Sequence, residues 1–135
     1  MDMSGIDEAL KGATDTRSLR IGKGLLKHVP ELFAEQFPGK NAIVVADLNT
    51  YRVAGEKVYE ELKTAGFTRE NPFIFTEPDL YAGYCYVERL VSILERSDAI
   101  PIAVGSGTIN DLAKLSSHLT RRSYLCVATA ASMDG

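Results

Sequence analysis

The chain has 135 residues, a length typical of one domain that can bury a core without disulfides or a structural metal. Apolar residues make up 45% of it and its net charge is −3, which excludes a disordered chain and provides no basic surface for nucleic acid or anionic lipid. No apolar run approaches the roughly 18 residues of a membrane span, and the N-terminus lacks the apolar centre of a signal peptide, so we expect a cytoplasmic protein.

The first third of the chain alternates helical and strand patterns. Residues 4–12 begin with a capping-box-like pair and predict a short helix, and residues 19–22 predict a short strand. Residues 25–37 carry apolar side chains at helical spacing and predict an amphipathic helix that ends at Pro38. Residues 42–46 form a continuous apolar run, as in a parallel strand that is covered on both faces.

The middle of the chain predicts a helix and a further strand. The helix is expected to be capped by Asn49 or Thr50 and to end at Gly66, which is suited to a C-terminal cap. Residues 73–75 predict the strand that follows. The apolar face of the helix is expected to consist of Val53, Val58, Tyr59 and Leu62.

The last third repeats the alternation. Residues 81–96 and 109–116 have helical periods, whereas residues 100–104 and 124–128 are apolar runs typical of buried strands. Strands that alternate with helices imply right-handed crossovers, so the fold class is α/β, with a Rossmann-like, mainly parallel sheet and helices on both faces. Residues 1–135 are expected to form one domain. Because they stop directly after a strand, at the edge where such folds bind ligands, we interpret them as part of a longer protein.

The cysteines and histidines give no sign of a metal site. Cys85 and Cys126 are far apart in sequence and have apolar neighbours, so we expect free thiols that pack in the core. His28 and His118 lie on predicted helices beside charged or polar residues, and we expect both to be solvated.

Two glycine loops compete as a phosphate-binding site. The first, Gly22-Lys23-Gly24, precedes Asp47 at a spacing that mimics a dinucleotide fingerprint, but Lys27 stands where the third glycine is needed. The second, residues 105–111, follows the most apolar strand and opens a helix, whose amides and dipole favour a pyrophosphate. Within the second loop, Asp111 is either a favourable N-terminal charge or an acceptor for a cofactor. A tight turn without a ligand explains the second pattern equally well.

Asp47 and the end of the chain are further candidates. Asp47 ends a buried strand and is either a turn residue or N-cap, or an acceptor for ribose hydroxyls that rejects a 2′-phosphate and so favours NAD over NADP. Residues 128–134 are mostly small or hydroxylated and follow the last strand. They form either the edge of a ligand cleft, with Asp134 projecting into it, or a loop of small residues.

Three segments carry a resemblance to a known family: AVGSGTINDLAK (103–114), TAASMDG (129–135) and VVADLNTYRVAG (44–55). Together they resemble the superfamily that joins iron-containing alcohol dehydrogenases, glycerol dehydrogenase, glycerol-1-phosphate dehydrogenase and 3-dehydroquinate synthase. The serine between the glycines, and Thr108 where many relatives carry lysine, make the glycine loop most similar to the bacterial glycerol-1-phosphate dehydrogenase branch. Glycerol dehydrogenases more often have GGGK there.

The resemblance implies roles for individual residues and favours the second loop, leaving Gly22-Lys23-Gly24 without a catalytic role. Asp47 would bind the adenosine ribose, residues 107–111 the pyrophosphate and nicotinamide side, and Asp134 the substrate. The implied cofactor-binding residues are Asp47, Gly105, Ser106, Gly107, Thr108, Ile109, Asn110, Asp111, Thr129, Ala130, Ala131 and Ser132.

The resemblance also implies an activity. It points to the N-terminal NAD-binding domain of a dehydroquinate synthase-like fold, in a dehydrogenase that interconverts dihydroxyacetone phosphate and sn-glycerol 1-phosphate with NAD(H). A divalent metal (zinc, nickel or iron) would be held by an aspartate and histidines of a helical domain beyond Gly135, so residues 1–135 alone would be inactive. The partners expected are a small-molecule substrate and further copies of the protein. The alternatives are a glycerol dehydrogenase, a 3-dehydroquinate synthase-like lyase and a non-catalytic nucleotide-binding module.

Overall fold

The computed structural model describes residues 16–20, 23–105 and 107–128. The helix predicted over residues 4–12 lies outside these ranges, as do Gly22, Ser106 and residues 129–135. The described strands are β1 (Thr16–Arg20), β2 (Ala42–Asp47), β3 (Phe73–Phe75), β4 (Ile100–Val104) and β5 (Tyr124–Ala128). The main helices are α1 (Val29–Gln36), α2 (Leu48–Thr64), α3 (Tyr84–Leu94) and α4 (Gly107–Leu119).

The five described strands form one sheet in the order β1-β5-β4-β2-β3, and every pairing is parallel. Strands β2 and β4 lie inside the sheet, where Ala42–Ala46 and all of Ile100–Val104 are buried. Such continuous apolar runs suit strands covered by helices on both faces. The predicted α/β class with a parallel sheet is confirmed.

Each face of the sheet carries its own apolar core. Helices α1 and α2 cover one face, where Phe33, Val58 and Leu62 are fully buried. Helices α3 and α4 cover the other face, where Leu90, Ile109 and Leu112 are fully buried. Burying one such side chain contributes about 1.5–3 kcal/mol relative to leaving it exposed. The prediction of helices on both faces is therefore confirmed.

Several predicted boundaries shift for identifiable reasons. The strand predicted at 19–22 is β1, which begins at Thr16 and pairs with β5. The helix predicted over 25–37 starts with a 3-10 segment, Lys23–His28, and becomes α-helical only at Val29. Pro30 explains this change, because its ring would clash with a carbonyl one turn earlier in a continuous α-helix.

Helix α3 begins later than predicted, whereas α4 begins earlier. Gly83 is extended, with φ −126° and ψ 157°, so α3 starts at Tyr84 rather than at residue 81. Helix α4 starts at Gly107, two residues before the first apolar position that marks its period. A helix start is set by backbone conformation, which the spacing of apolar residues does not report.

Helix α2 contains an irregular turn that the sequence pattern did not predict. It begins as Leu48–Thr50, passes through the π-helical segment Tyr51–Gly55, and continues as Glu56–Thr64. A π-turn accommodates an additional residue and so shifts the face on which the preceding side chains lie. Val53 is 46% exposed as a result, and its predicted place on the apolar face is wrong.

The thiol environments differ from each other. Cys126 is half-buried against the core under α3 and α4, and burial raises the pKa of its thiol. Cys85 is exposed on α3, so the prediction that it packs in the core is wrong. Its apolar sequence neighbours belong to the helix, but position 85 lies on the opposite side of the helix from the buried positions Val87 and Leu90. No helix in the described part of the chain is long and apolar enough to cross a bilayer.

Candidate functional site

The carboxyl ends of β2, β3 and β4 border a cleft of about 300 Å³. In parallel α/β sheets this edge is where ligands bind, because loops there separate and helix N-termini point towards the opening. Asp47 ends β2, and Thr108 lies in the first turn of α4 directly after β4. The cleft is lined by Asp47, Leu48, Asn49, Thr76, Glu77, Pro78, Leu80 and Thr108.

Asp47 caps helix α2. Its Oδ1 accepts a hydrogen bond of 2.8 Å from the Thr50 amide, and its own amide donates to Thr50 Oγ1 at 3.1 Å. This reciprocal pair is a capping box, so the cap predicted at Asn49 or Thr50 is Asp47 instead. The described residues offer Asp47 Oδ2 no hydrogen-bond partner, and the side chain lines the cleft. One carboxylate oxygen therefore fixes the start of α2, and the other is not used by the cap.

Gly105 meets a packing requirement at the end of β4. Its φ is +150°, a conformation that side chains rarely adopt, and an added Cβ would lie 2.8 Å from Thr50 Cγ2. The absence of a side chain therefore lets the β4 loop pass against the cap of α2. This contact ties the glycine loop to the strand end that carries Asp47.

Gly107 has a different environment. It is the first residue of α4, a helix of 13 residues, and no atom lies within 4 Å of the position that a Cβ would occupy. The unpaired amides of a helix start attract anions. Open space in front of such amides is the arrangement that a pyrophosphate needs, and Thr108 adds a hydroxyl at the cleft wall.

The other predicted residues of α4 are mostly engaged inside the fold. Ile109 is fully buried in the core, so its side chain faces away from any ligand. Asn110 Oδ1 accepts a hydrogen bond of 2.7 Å from the Tyr124 hydroxyl, which ties α4 to β5. Asp111 is half-buried one residue further along. The roles predicted for Ser106, Thr129, Ala130, Ala131, Ser132 and Asp134 fall outside the described residues.

The structure adds residues that the sequence pattern did not single out. Glu77 and Pro78 follow β3 and bring a second carboxylate to the cleft that contains Asp47. Arg89 donates a 2.7 Å hydrogen bond to Glu77 Oε2, and this bond lowers the pKa of the Glu77 carboxyl. The sequence signal that could have identified Glu77 is its position, two residues after the strand predicted at 73–75.

The described residues contain no group of three histidine, cysteine, aspartate or glutamate side chains that could hold a metal ion. His28 and His118 are on helix ends at the surface, as expected. The donor set of the described ranges therefore does not fit a metal site.

The chain was compared with known proteins. The model of the iron-containing alcohol dehydrogenase family matches residues 20–135. A glycerol-1-phosphate dehydrogenase (NAD(P)+) of Halalkalibacterium halodurans is 32% identical over 119 residues, which cover 87% of this chain and 30% of the relative. A 3-dehydroquinate synthase of an Arthrobacter species is 34% identical over 110 residues, covering 76% of this chain and 28% of the relative.

Among solved structures, a probable glycerol dehydrogenase from Sinorhizobium meliloti 1021 superposes with a TM-score of 0.60 at 18% identity. The match covers 85% of this chain and 28% of that protein, and it supports the fold assignment. The chain thus spans about a third of the length of the relatives that it matches. Since the family model covers most of the sequence, the chain belongs to the iron-containing alcohol dehydrogenase family.

Proposed function

We propose that this chain is the NAD-binding part of a metal-dependent dehydrogenase that interconverts dihydroxyacetone phosphate and sn-glycerol 1-phosphate. The observation that carries the proposal is the cleft at the carboxyl edge of the sheet, which is lined both by Asp47 and by Thr108 in the first turn of α4, next to the uncrowded first residue Gly107. These are the two recognition elements that a dinucleotide requires, one for ribose hydroxyls and one for pyrophosphate.

In this proposal the chain positions the cofactor. Asp47 Oδ2 accepts hydrogen bonds from the adenosine ribose, while Oδ1 stays on the Thr50 amide and fixes the carboxylate. The amides at the start of α4 face the pyrophosphate, and the Thr108 hydroxyl lies at the same wall. Bound NADH supplies the hydride for reduction of the ketone. The order along the chain, with the acid before the glycine loop, agrees with the family resemblance.

The remaining parts of the proposal rest on the family and on similar proteins. The metal ligands belong to a helical domain beyond Gly135, and the metal would polarise the substrate carbonyl. Asp134 contacts the substrate, and Thr129–Ser132 continue the cofactor cleft. A cytoplasmic, homo-oligomeric enzyme is part of the same proposal. The named relatives include glycerol-1-phosphate dehydrogenases, which favours that reaction over a glycerol dehydrogenase or a lyase.

The substrate is tested by NADH oxidation. The full-length protein, reconstituted with zinc, nickel or iron(II), is assayed with dihydroxyacetone phosphate and with dihydroxyacetone side by side. We expect a strong preference for the phosphorylated ketone. A preference for the free ketone would instead identify a glycerol dehydrogenase, and absence of NADH turnover with both would support a lyase or a non-catalytic binding module.

The Asp47→Asn variant tests the cofactor site. Asparagine caps helices as well as aspartate does, so we expect unchanged stability, while the lost charge weakens NADH binding by about tenfold, or ~1.4 kcal/mol. Affinity for NADPH should fall less, because the variant no longer repels a 2′-phosphate. Titration calorimetry with both cofactors and thermal unfolding measure these effects.

A matched control removes one carboxylate from the opposite edge of the sheet. Asp98 lies two residues before β4, at the edge of the sheet away from the cleft, and forms a surface ion pair of 3.9 Å with Lys40. The Asp98→Asn variant should bind both cofactors as the unaltered protein does. Equal NADH affinity in the Asp47 and Asp98 variants would show that Asp47 does not bind the ribose.

A further inference from the structure

We propose that the ion pair of Glu77 and Arg89 determines how strongly the cleft discriminates between NAD and NADP, with Arg89 acting as a positioning residue for Glu77. The inference rests on the proposed function, because it requires the adenosine ribose to lie in the cleft beside Asp47. It concerns two residues outside the glycine loop, and it predicts that replacing one or the other changes the relative affinity for NAD and NADP in opposite directions.

The strand register brings the two carboxylates into the same cleft. Asp47 is paired with Phe75 across the β2–β3 ladder, and Glu77 lies two residues beyond Phe75. Neighbouring strands are about 4.8 Å apart and two residues add roughly 6.6 Å, so both groups are within reach of one nucleoside. Both Asp47 and Glu77 line the cleft.

Arg89 holds Glu77 in this position. Its Nη1 lies 2.7 Å from Glu77 Oε2, and its guanidinium lies over the rings of Phe75 and Tyr86, 5.6 and 5.5 Å from their centroids. These aromatic contacts restrict a long side chain that is otherwise 45% exposed. The second oxygen, Glu77 Oε1, is buried and has no hydrogen-bond partner among the described residues. The bond from Arg89 therefore holds the carboxylate through Oε2.

The local charges decide which cofactor is tolerated. Asp47, Glu77 and Arg89 together carry a net charge of −1, which opposes the charge of about −2 on a 2′-phosphate. Neutralising Glu77 removes one carboxylate from the cleft and leaves the positive charge of Arg89, which borders the neighbouring groove, uncompensated. Neutralising Arg89 leaves two uncompensated carboxylates. The first change should favour NADP and the second should disfavour it, whereas NAD lacks the 2′-phosphate and should respond little to either.

The test measures dissociation constants of NAD and NADP for the full-length protein by titration calorimetry. We expect Glu77→Gln to lower the ratio Kd(NADP)/Kd(NAD) by about tenfold, and Arg89→Gln to raise it by about tenfold, as charges roughly 7 Å apart at a surface produce. Arg89→Lys keeps the charge and should restore most of the normal ratio. The double variant should lie close to the unaltered protein, because both charges are removed together.

Glu88 provides the control. It is exposed on α3 and, like Arg89, borders the groove beside the cleft, but the described residues show no ion pair between Glu88 and either Glu77 or Arg89. Glu88→Gln therefore removes the same charge without changing the Glu77–Arg89 pair. If the ion pair were purely structural, both single variants would change the ratio Kd(NADP)/Kd(NAD) in the same direction and would lose thermal stability in parallel. That result would overturn the inference. Normal NAD binding with an unchanged ratio would also overturn it. Failure of the unaltered protein to bind NAD would overturn the proposed function and this inference with it.

Discussion

Replacement of Gly107 by valine is expected to lower NADH affinity by about 100-fold, or ~2.7 kcal/mol, while the protein remains folded. The position where a Cβ would lie has no neighbour within 4 Å, so the protein itself accommodates the new side chain. Valine is no worse than glycine in a helix, and we expect stability to change by less than about 0.5 kcal/mol. The side chain would instead occupy the space in front of the α4 amides, where the pyrophosphate must approach. Calorimetric titration and urea unfolding measure the two quantities.

A graded series strengthens this test. Gly107→Ala adds one methyl group and should reduce affinity less than valine does, because the amides remain partly accessible. Affinities that are unchanged in both variants would show that no phosphate binds at the start of α4. In that case the glycine would serve only as the first residue of a helix.

Most of the fold could be predicted because two of its central strands, β2 and β4, are buried on both faces. Strands β2 and β4 are uninterrupted apolar runs, and such runs leave few alternatives in a chain that also carries amphipathic helices. Gly66 was correctly expected at the end of α2, where its φ of +82° suits glycine. These features depend on the local pattern of apolar residues and on the backbone preference of glycine, and both can be read from the sequence.

The parts that could not be predicted depend on contacts between distant residues. The spacing of apolar residues in the sequence gives no indication of the π-helical turn that exposes Val53. The bond from Arg89 to Glu77 joins residues on α3 and in the loop after β3, and only the packed structure brings them together. The N-cap alternative for Asp47 is confirmed, but its reciprocal bonds with Thr50 become visible only in the folded backbone, and its ribose role stays a prediction. The second carboxylate of the candidate site, Glu77, could therefore be identified only from the tertiary structure.

Replacement of Gly105 by alanine is expected to destabilise the protein by about 3 kcal/mol. A φ of +150° costs an ordinary residue about 1–3 kcal/mol, and the new Cβ would overlap Thr50 Cγ2 at 2.8 Å. The overlap should also displace Thr50, which holds Asp47 through the capping box, so NADH affinity should fall as well. Urea unfolding and NADH titration, interpreted beside the Gly107 variants, separate a structural from a binding effect.

A double-mutant cycle identifies the cause of this loss. Thr50→Ala alone removes half of the capping box and should cost about 1 kcal/mol. Combined with Gly105→Ala it also removes the two atoms closest to the new Cβ, Thr50 Cγ2 and Oγ1, so the double variant should be at least about 1 kcal/mol more stable than the sum of the single effects implies. Strict additivity would assign the whole loss to backbone strain and not to Thr50. If the proposed function holds, the two glycines of the G-x-G loop have separable tasks. Gly105 lets the loop pack against the cap formed by Asp47 and Thr50, whereas Gly107 would leave the start of α4 uncrowded for the cofactor.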